Sequence, residues 1–369
     1  MHTAERSSIV SGADHDAAKI SVVMSVYNGL PLVGDAIDSI LTQSFTDFEF
    51  IIVNDGSTDG TLALLQDYAD RDPRIRIIDQ ANTGLTTALI HGVAAARAPL
   101  IARMDADDLS LPERFERQVA LLDARPDLVA ASCGIEYVAP DLRPMFTVAG
   151  GFDEESLALF MAFSNVIAAH GQMMFRKSAY DAAGGYDPAF RYAQDYDLWC
   201  RLLKIGAIGE AEGTLYRFRM GHDSIGKRHG IAQRDLAAQT AARHYTAITG
   251  TIADPAVVLN TLKLGGQLPS DTIGIADLIA VDRHIRHAVR CYTAAYRLDG
   301  EAVRRVRRRL YDFWATAYRA ASPAMGFRNG VMAGLAALRG PDQVLAAIGQ
   351  KISQSGNVRK KQVSQSHGG

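Results

Sequence analysis

Two aspartates one residue apart, Asp105 and Asp107, directly follow an apolar run that ends in Leu100, Ile101 and Ala102. The run is short enough for a buried strand, so the sequence places both carboxylates where that strand ends. In open α/β sheets this is the edge at which ligands bind, and carboxylate oxygens suit hard divalent cations. A cation held there could neutralise a diphosphate leaving group. The alternative is a turn or a helix cap, because Asp is common in both.

The elements that would position these carboxylates alternate between strand and helix. Runs rich in β-branched residues predict strands over residues 20–26, 48–53, 75–78 and 100–103. Helical spacing between these runs, and again from Pro112, predicts the connecting helices. The alternation predicts an α/β fold with a mostly parallel sheet and flanking helices.

The pattern changes along the chain and predicts several segments. After Pro140 an α+β stretch follows, and from Arg228 the signal is almost wholly helical. We predict a flexible leader at residues 1–18, an α/β domain at 19–226, a basic helical C-terminal region at 227–352 and a disordered tail at 353–369.

The net charge of −2 conceals a strong asymmetry between the two halves of the chain. Residues 1–226 carry 18 Lys and Arg against 32 Asp and Glu, whereas residues 227–369 carry 21 against 9. An acidic part and a basic part imply units with different partners. Three widely spaced cysteines and a polar leader favour a cytoplasmic location, and no apolar run reaches the 18 residues of a membrane span.

Four motifs, in this order and at this spacing, resemble the family 2 inverting glycosyltransferases of the GT-A fold. They are SVVMSVYN at residues 21–28, IIVNDGSTDGT at 51–61, ARMDADD at 102–108 and AQDYDLW at 193–199. The resemblance covers residues 19–225 and implies a Rossmann-like GT-A sheet. It also implies transfer of a sugar, with inversion, from a nucleotide-diphosphate sugar such as a UDP-sugar to a hydroxyl acceptor in polysaccharide or glycan synthesis.

The resemblance assigns the nucleotide pocket to the ends of the first two strands. It implies that Ser25, Val26 and Tyr27 line the pocket for the base and ribose, and that Asp55 accepts a hydrogen bond from the base. The family usually has Pro at the position of Ser25 and a second Asp at that of Asn54, so this chain departs from the pattern at both.

The resemblance also implies a Mn²⁺ or Mg²⁺ cofactor. It assigns direct metal contact to Asp107, while Asp105 contacts the ribose or a metal-bound water, and His222 matches a histidine that ligates the metal in some relatives. An ordinary loop histidine is the alternative for His222. Asp108 has no assigned role beyond capping the next helix.

An inverting transfer needs a general base, and the resemblance assigns that role to Asp195. The family has Glu before this Asp, whereas this chain has Gln194, which is expected on the acceptor side. His170 is expected to line the acceptor side as well, with a role as a satisfied core histidine as its alternative.

Residues 301–319 predict an amphipathic helix whose polar surface is rich in arginine. Such a helix either packs its apolar stripe on neighbouring helices, which is the commoner arrangement, or docks on an anionic membrane surface. The second case would place the enzyme at the inner face of a membrane, near a lipid-linked glycan acceptor. Nucleic acid is not expected, because no base-reading motif accompanies the charge. The arginines are Arg304, Arg305, Arg307, Arg308 and Arg309.

Two rival functions follow from the same residues. A nucleotidyltransferase of related fold would need a Gly-rich basic loop after the first strand, and residues 27–30 lack a basic residue. A nucleotide-sugar-binding protein without catalysis is the other rival, and the departures at Asn54 and Gln194 favour it.

Overall fold

The computed structural model describes residues 8–9, 18–148, 154–221, 230–264 and 275–310. The chain divides into two compact units, of which one comprises Met1–Ala158 with Asn165–Thr240 and the other comprises Leu159–Ser164 with Ala241–Gly369. The predicted metal ligand His222 lies outside the described residues.

The described strands all belong to the first unit. They are β1 (Ser8–Ile9), β2 (Ile20–Val26), β3 (Phe48–Asp55), β4 (Ile75–Gln80), β5 (Leu100–Asp105), β6 (Leu109–Ser110), β7 (Leu128–Val138), β8 (Pro144–Val148), β9 (Met174–Arg176) and β10 (Ala207–Arg219).

The described helices are α1 (Val33–Leu41), α2 (Thr61–Arg71), α3 (Leu85–Ala94), α4 (Arg114–Ala124), α5 (Glu154–Phe160), α6 (Lys177–Ala182), α7 (Gln194–Leu202), α8 (Gly230–Thr249), α9 (Pro255–Leu264) and α10 (Ile275–Ala295). A short 3₁₀ turn spans His170–Gln172, and residues 300–310 are helical.

The strands form one sheet in the order β1-β4-β3-β2-β5-β9-β7-β10-β6, with β8 paired to β7. Strands β4, β3, β2 and β5 run parallel, as do β7 and β10, whereas β9 lies antiparallel between β5 and β7. The α/β class with flanking helices is confirmed, and the sheet is mixed, because β9 reverses direction between its two parallel parts. Within the predicted leader, β1 pairs with β4.

The register of β2 brings the predicted site residues to one edge of the sheet. Val26 lies opposite Asn54 on β3, and Ser25 lies opposite Asp105 on β5. Strands β2 and β3 are buried along their whole lengths, as expected for a parallel sheet covered on both faces. A rigid core therefore fixes the carboxyl ends of three adjacent strands.

Strand β10 is the longest of the strands that the sequence patterns did not predict. It pairs with β7 from Ala207 to Arg219, with irregularities around Gly213, which has a φ of +103°. The glycines of this segment, Gly209 and Gly213, interrupt its sequence pattern, so apolar and polar residues alternate clearly only from Tyr216 to Arg219.

In the second unit, the helix at residues 300–310 buries one side and exposes the other. Ala302, Val306 and Leu310 are buried, and the five predicted arginines are exposed. The part of the predicted helix from residue 311 to 319 lies outside the described residues. Across the parts of the chain that the structure describes, no helix combines the length and apolar character needed to cross a membrane.

Candidate active site

The carboxylate of Asp105 is held at the end of β5 by two donors. Arg103 donates from Nη2 to Oδ1 at 2.7 Å, and the main-chain N–H of Gly171 donates to Oδ2 at 2.9 Å. Burial raises the pKa of Asp105, and the neighbouring Arg103 charge opposes that rise. These contacts fix the direction of the carboxylate and leave each oxygen a further lone pair.

Arg103 is a buried residue of this site that the sequence analysis did not identify. Its guanidinium also donates to the carbonyl oxygen of Val23 at 3.3 Å, and its own carbonyl accepts from Arg114 at 2.8 Å. A single Arg inside an apolar strand, two residues before an Asp, is the signal that could have found it, since a buried cation needs a nearby carboxylate.

Asp107 and Asp108, the last two aspartates of the motif, lie in different environments. Asp107 is half-buried, whereas Asp108 is buried and accepts hydrogen bonds from the Tyr216 hydroxyl at 2.9 Å and the Arg219 N–H at 2.8 Å. Burial, followed by the charge of Asp107, raises the pKa of Asp108 well above its usual range. Asp108 therefore ties the motif to β10.

Asp107 suits a metal ion that binds together with the phosphate groups of a substrate. Within the described residues, no group of three or more His, Cys, Asp or Glu side chains could hold a metal ion by itself. Mg²⁺ commonly binds through one or two carboxylates together with substrate phosphate oxygens and waters. Asp107, supported by Asp105, fits that kind of site.

Asp55, the predicted contact to the base, is buried and organises the turn before α3. Its Oδ1 accepts hydrogen bonds from Gln80 Nε2 at 2.8 Å and from the N–H and hydroxyl of Thr83 at 2.9 and 3.1 Å. Within the described part of the chain, its Oδ2 accepts one hydrogen bond, from the Gly84 N–H at 2.8 Å. The remaining acceptor capacity for a ligand is therefore on Oδ2.

The loop that follows β2 is fastened to the turn that follows β3. Asn28 has a φ of +50°, its N–H donates to the Ser57 hydroxyl at 3.0 Å, and its Oδ1 accepts from the Thr58 N–H at 2.8 Å. Ser25 and Val26 are buried, whereas 50% of Tyr27 is exposed. Of the three residues predicted to line the nucleotide pocket, Tyr27 is therefore the one whose side chain is exposed to solvent.

Asn54 stands where the family usually has Asp, and the neighbouring Asp79 gives a physical reason for this difference. Asn54 donates from Nδ2 to Oδ1 of Asp79 at 2.7 Å. A carboxylate at position 54 would lie against that of Asp79, and two like charges at this distance repel strongly. The amide therefore replaces repulsion with a hydrogen bond.

Asp195 lies in the first turn of α7, after Ala193, which has a φ of +58°. Its Oδ2 accepts a hydrogen bond from Asn165 at 3.3 Å. Burial raises the pKa of Asp195, the Tyr196 N–H opposes the rise, and the charge of Asp105 adds to it. The fold thus brings Asp195 close enough to Asp105, which lies 90 residues earlier in the chain, for the two charges to interact.

His170 and Tyr186 form a buried pair beside these carboxylates. The His170 Nε2 and the Tyr186 hydroxyl are 2.6 Å apart, and Trp199 packs edge-on against the imidazole. Burial, reinforced by the Arg103 charge, lowers the pKa of His170 well below its usual range. His170 is accordingly a neutral hydrogen-bonding group at pH 7. Gln194, predicted on the acceptor side, is buried at the start of α7.

Comparisons with known proteins show the class to which this α/β sheet, with its paired carboxylates at one edge, belongs. The family model for glycosyl transferase family 2 matches residues 21–184. A Bacillus subtilis (strain 168) protein named as a glycosyltransferase, EpsE, is 34% identical over 219 residues, which cover 57% of this chain and 76% of the relative.

Two further similarities agree with this match. The O-antigen biosynthesis glycosyltransferase WbnJ of Escherichia coli is 34% identical over 192 residues, covering 50% of this chain and 71% of the relative. The crystal structure of S. aureus TarS 1-349 in complex with UDP-GlcNAc has the same fold, with a TM-score of 0.52 and 12% identity over 85% of this chain and 92% of that chain. The chain belongs to glycosyltransferase family 2, and it is a glycosyltransferase.

Proposed function

We propose that this enzyme moves one sugar, with inversion at the anomeric carbon, from a nucleotide-diphosphate sugar to a hydroxyl acceptor. A UDP-sugar is the donor that we favour, because the family resemblance assigns Tyr27 to the pocket for the base and Asp55 to the recognition of a base such as uracil. The observation that supports the proposal best is the position of Asp195, a partly buried carboxylate in the first turn of α7 whose pKa is raised by burial and by the charge of Asp105.

In the proposed reaction, the acceptor oxygen attacks the anomeric carbon while the Asp195 carboxylate takes the hydroxyl proton. The bond between the anomeric carbon and the diphosphate oxygen breaks, and its electron pair leaves with the nucleoside diphosphate. A single displacement of this kind needs one base and no covalent enzyme intermediate. Arg103 and Gly171 keep Asp105 directed at the donor during this step.

Asp107 and Asp105 would hold a Mn²⁺ or Mg²⁺ ion together with the donor phosphates. When bound, such an ion supplies positive charge that stabilises the departing diphosphate. The exposure of Asp107 supports this assignment, because Asp107 is half-buried just beyond the end of β5, whereas Asp108 is buried.

The acceptor that we favour is a polysaccharide or lipid-linked glycan intermediate. The name of WbnJ, an O-antigen biosynthesis glycosyltransferase, supports a glycan product. An acceptor carried by a lipid would bring the enzyme to the cytoplasmic face of a membrane, and the exposed arginines at residues 304–309 suit an anionic surface.

Binding to liposomes tests the membrane part of this proposal. The buried Val306 and Leu310 leave electrostatic attraction, rather than insertion of these side chains, as the means of attachment. We expect the full chain to sediment with phosphatidylglycerol liposomes at low salt and to be released by salt. Binding that is absent at low salt, or that survives replacement of all five arginines by Gln, would contradict it.

Release of nucleoside diphosphate tests the reaction itself. Each nucleotide sugar is incubated with the protein, Mn²⁺ and an acceptor, and NMR then determines the anomeric configuration of the product. An inverted glycoside and free diphosphate are expected. Binding of the donor without its turnover would favour the binding protein, and release of sugar 1-phosphate would favour the nucleotidyltransferase.

A further inference from the structure

Strand β8 exposes apolar side chains to solvent along its short length. The exposed fractions of Met145, Phe146 and Val148 are 50%, 49% and 44%. All five residues of the strand are exposed, although it is part of the main sheet. Exposed apolar side chains grouped in this way commonly mark a binding surface.

The pairing of β7 fixes where this surface lies. Strand β10 occupies one edge of β7 along the whole length from Leu128 to Val138, so β9 and β8 must share the other edge. Strand β9 pairs at Ala130 and Ala131, and β8 pairs from Ile135 onward. Along that edge, β8 is therefore the element beyond β9, toward the carboxyl end of β7.

The gap between β9 and β8 is occupied by the turn that holds Asp105. Gln172 donates from Nε2 to the carbonyl oxygen of Cys133, at 3.0 Å, and Gly171 donates to the Asp105 carboxylate. The carboxyl ends of β5 and β7 lie at the same edge of the sheet, since both run antiparallel to β9. The exposed residues of β8 thus adjoin the candidate active site.

Aromatic rings connect β8 to the aspartate motif across three strands. Phe146 stacks on Tyr137, with ring centroids 4.5 Å apart and planes 17° from parallel, and Tyr137 contacts Phe218 at 5.4 Å. Phe218 follows Tyr216 by two residues on β10, so both lie on the same face, and the Tyr216 hydroxyl contacts Asp108.

The order of the strands places this surface on the side of Asp105 away from the predicted nucleotide pocket. The predicted nucleotide pocket lies at β2 and β3, on one side of β5, whereas β7 and β8 lie on the other side. Asp105 stands between them. A ligand on β8 would therefore approach the donor from the side opposite to the nucleotide.

We propose that Phe146, with Met145 and Val148, forms a subsite for a pyranose ring of the acceptor glycan. The inference rests on the proposed function. The C–H face of a pyranose packs on an aromatic ring while its hydroxyls stay hydrated, which suits a ring that is half-exposed. An acyl chain would need an enclosed apolar groove, and all five residues of β8 are exposed.

The test uses p-nitrophenyl glycosides of glucose, galactose, mannose and N-acetylglucosamine as acceptors for the full-length enzyme with its donor. Phe146→Ala is expected to raise the KM for the active glycoside about tenfold and to change kcat little, and Phe146→Trp is expected to restore the KM. The matched control is Ile205→Ala, which truncates a side chain that is 45% exposed in the same unit, and it should leave both constants unchanged.

The possible outcomes separate the subsite from the reaction. An unchanged KM in Phe146→Ala, or an equal effect of Ile205→Ala, would overturn the subsite while transfer by the wild type stands. Failure of every glycoside to raise diphosphate release above donor hydrolysis would also overturn it. Loss of binding to phosphatidylglycerol liposomes in Phe146→Ala would show a lipid occupant instead. Absence of both transfer and donor hydrolysis in the wild type would refute the proposed function as a whole.

Discussion

The main-chain N–H of Gly171 donates a hydrogen bond to the Asp105 carboxylate across 66 residues of sequence. The approach is so close that a Cβ at position 171 would lie 1.8 Å from the Tyr216 hydroxyl oxygen and 2.9 Å from Oδ2 of Asp105. Only glycine allows this contact, so the backbone of one turn directs the first carboxylate of the motif.

Gly171→Ala should disturb the site by displacing Tyr216 and Asp105. We expect nucleoside diphosphate binding in the presence of Mn²⁺, measured by calorimetry, to weaken at least about tenfold, because a lost or misdirected charged hydrogen bond costs roughly 1.5–3 kcal/mol. Gly230→Ala is the control, since a Cβ there has no atom within 4 Å. Equal affinities for the two variants would contradict the role given to this turn.

Asp107→Ala should abolish the metal-dependent part of nucleotide binding and leave the fold intact. Its half-buried carboxylate is the proposed direct metal ligand, and removing it takes away the charge that bridges the ion to the protein. Affinity for the nucleoside diphosphate is measured with Mn²⁺ and again with a chelator. A variant whose affinity still rises with Mn²⁺ as in the wild type would refute the assignment.

Glu49 stabilises the opposite end of the sheet through a buried ion pair. It pairs with Arg76, and its Oε1 accepts from the Ser21 hydroxyl at 2.6 Å and the Arg97 N–H at 2.8 Å. Glu49→Ala should lower the free energy of unfolding by about 3–5 kcal/mol, because it leaves a buried cation without its partner. Urea denaturation measures the change.

The control for Glu49 is an exposed pair of the same charge type. Lys19 contacts Asp123 at 2.9 Å, and Asp123 is more than half exposed. Asp123→Ala should lower the free energy of unfolding by less than about 1 kcal/mol. Similar losses of unfolding free energy in Glu49→Ala and Asp123→Ala would show that burial does not set the strength of the Glu49 pair.

The pH dependence of catalysis should report Asp195. The base acts only when ionised, and its pKa is raised by burial and by Asp105. The profile of kcat/KM should therefore fall on the acid side with an apparent pKa above the usual Asp value of about 3.9. An acid limb at or below that value would indicate that Asp195 is not the base.

The sequence predicted those parts of the site that depend on local pattern. Runs of β-branched residues located β2, β3 and β5, and therefore placed Asp55 and Asp105 at strand ends. Helical spacing likewise predicted the connecting helices α1, α2 and α3 and the helix α4 that follows Pro112. These features follow from burial and periodicity, which are properties of short segments.

The supporting contacts could not be predicted in the same way, because they join distant segments. Tyr216 reaches Asp108 across 108 residues, and it lies on β10, a strand whose glycines disguised its alternation. Gly171 reads as an ordinary turn glycine until the position of Tyr216 is known. The contact of Arg103 with the Val23 carbonyl joins two strands across 80 residues of sequence.

The most direct test of the account is the activity of Asp195→Asn. The amide keeps the shape of the side chain and can still contact Asn165, but it cannot accept the acceptor proton. We predict unchanged donor affinity with Mn²⁺ and a kcat that is lower by about 10² or more, which is the usual contribution of a general base. Transfer at a rate near that of the wild type would contradict the account, because it would show that another group is the base.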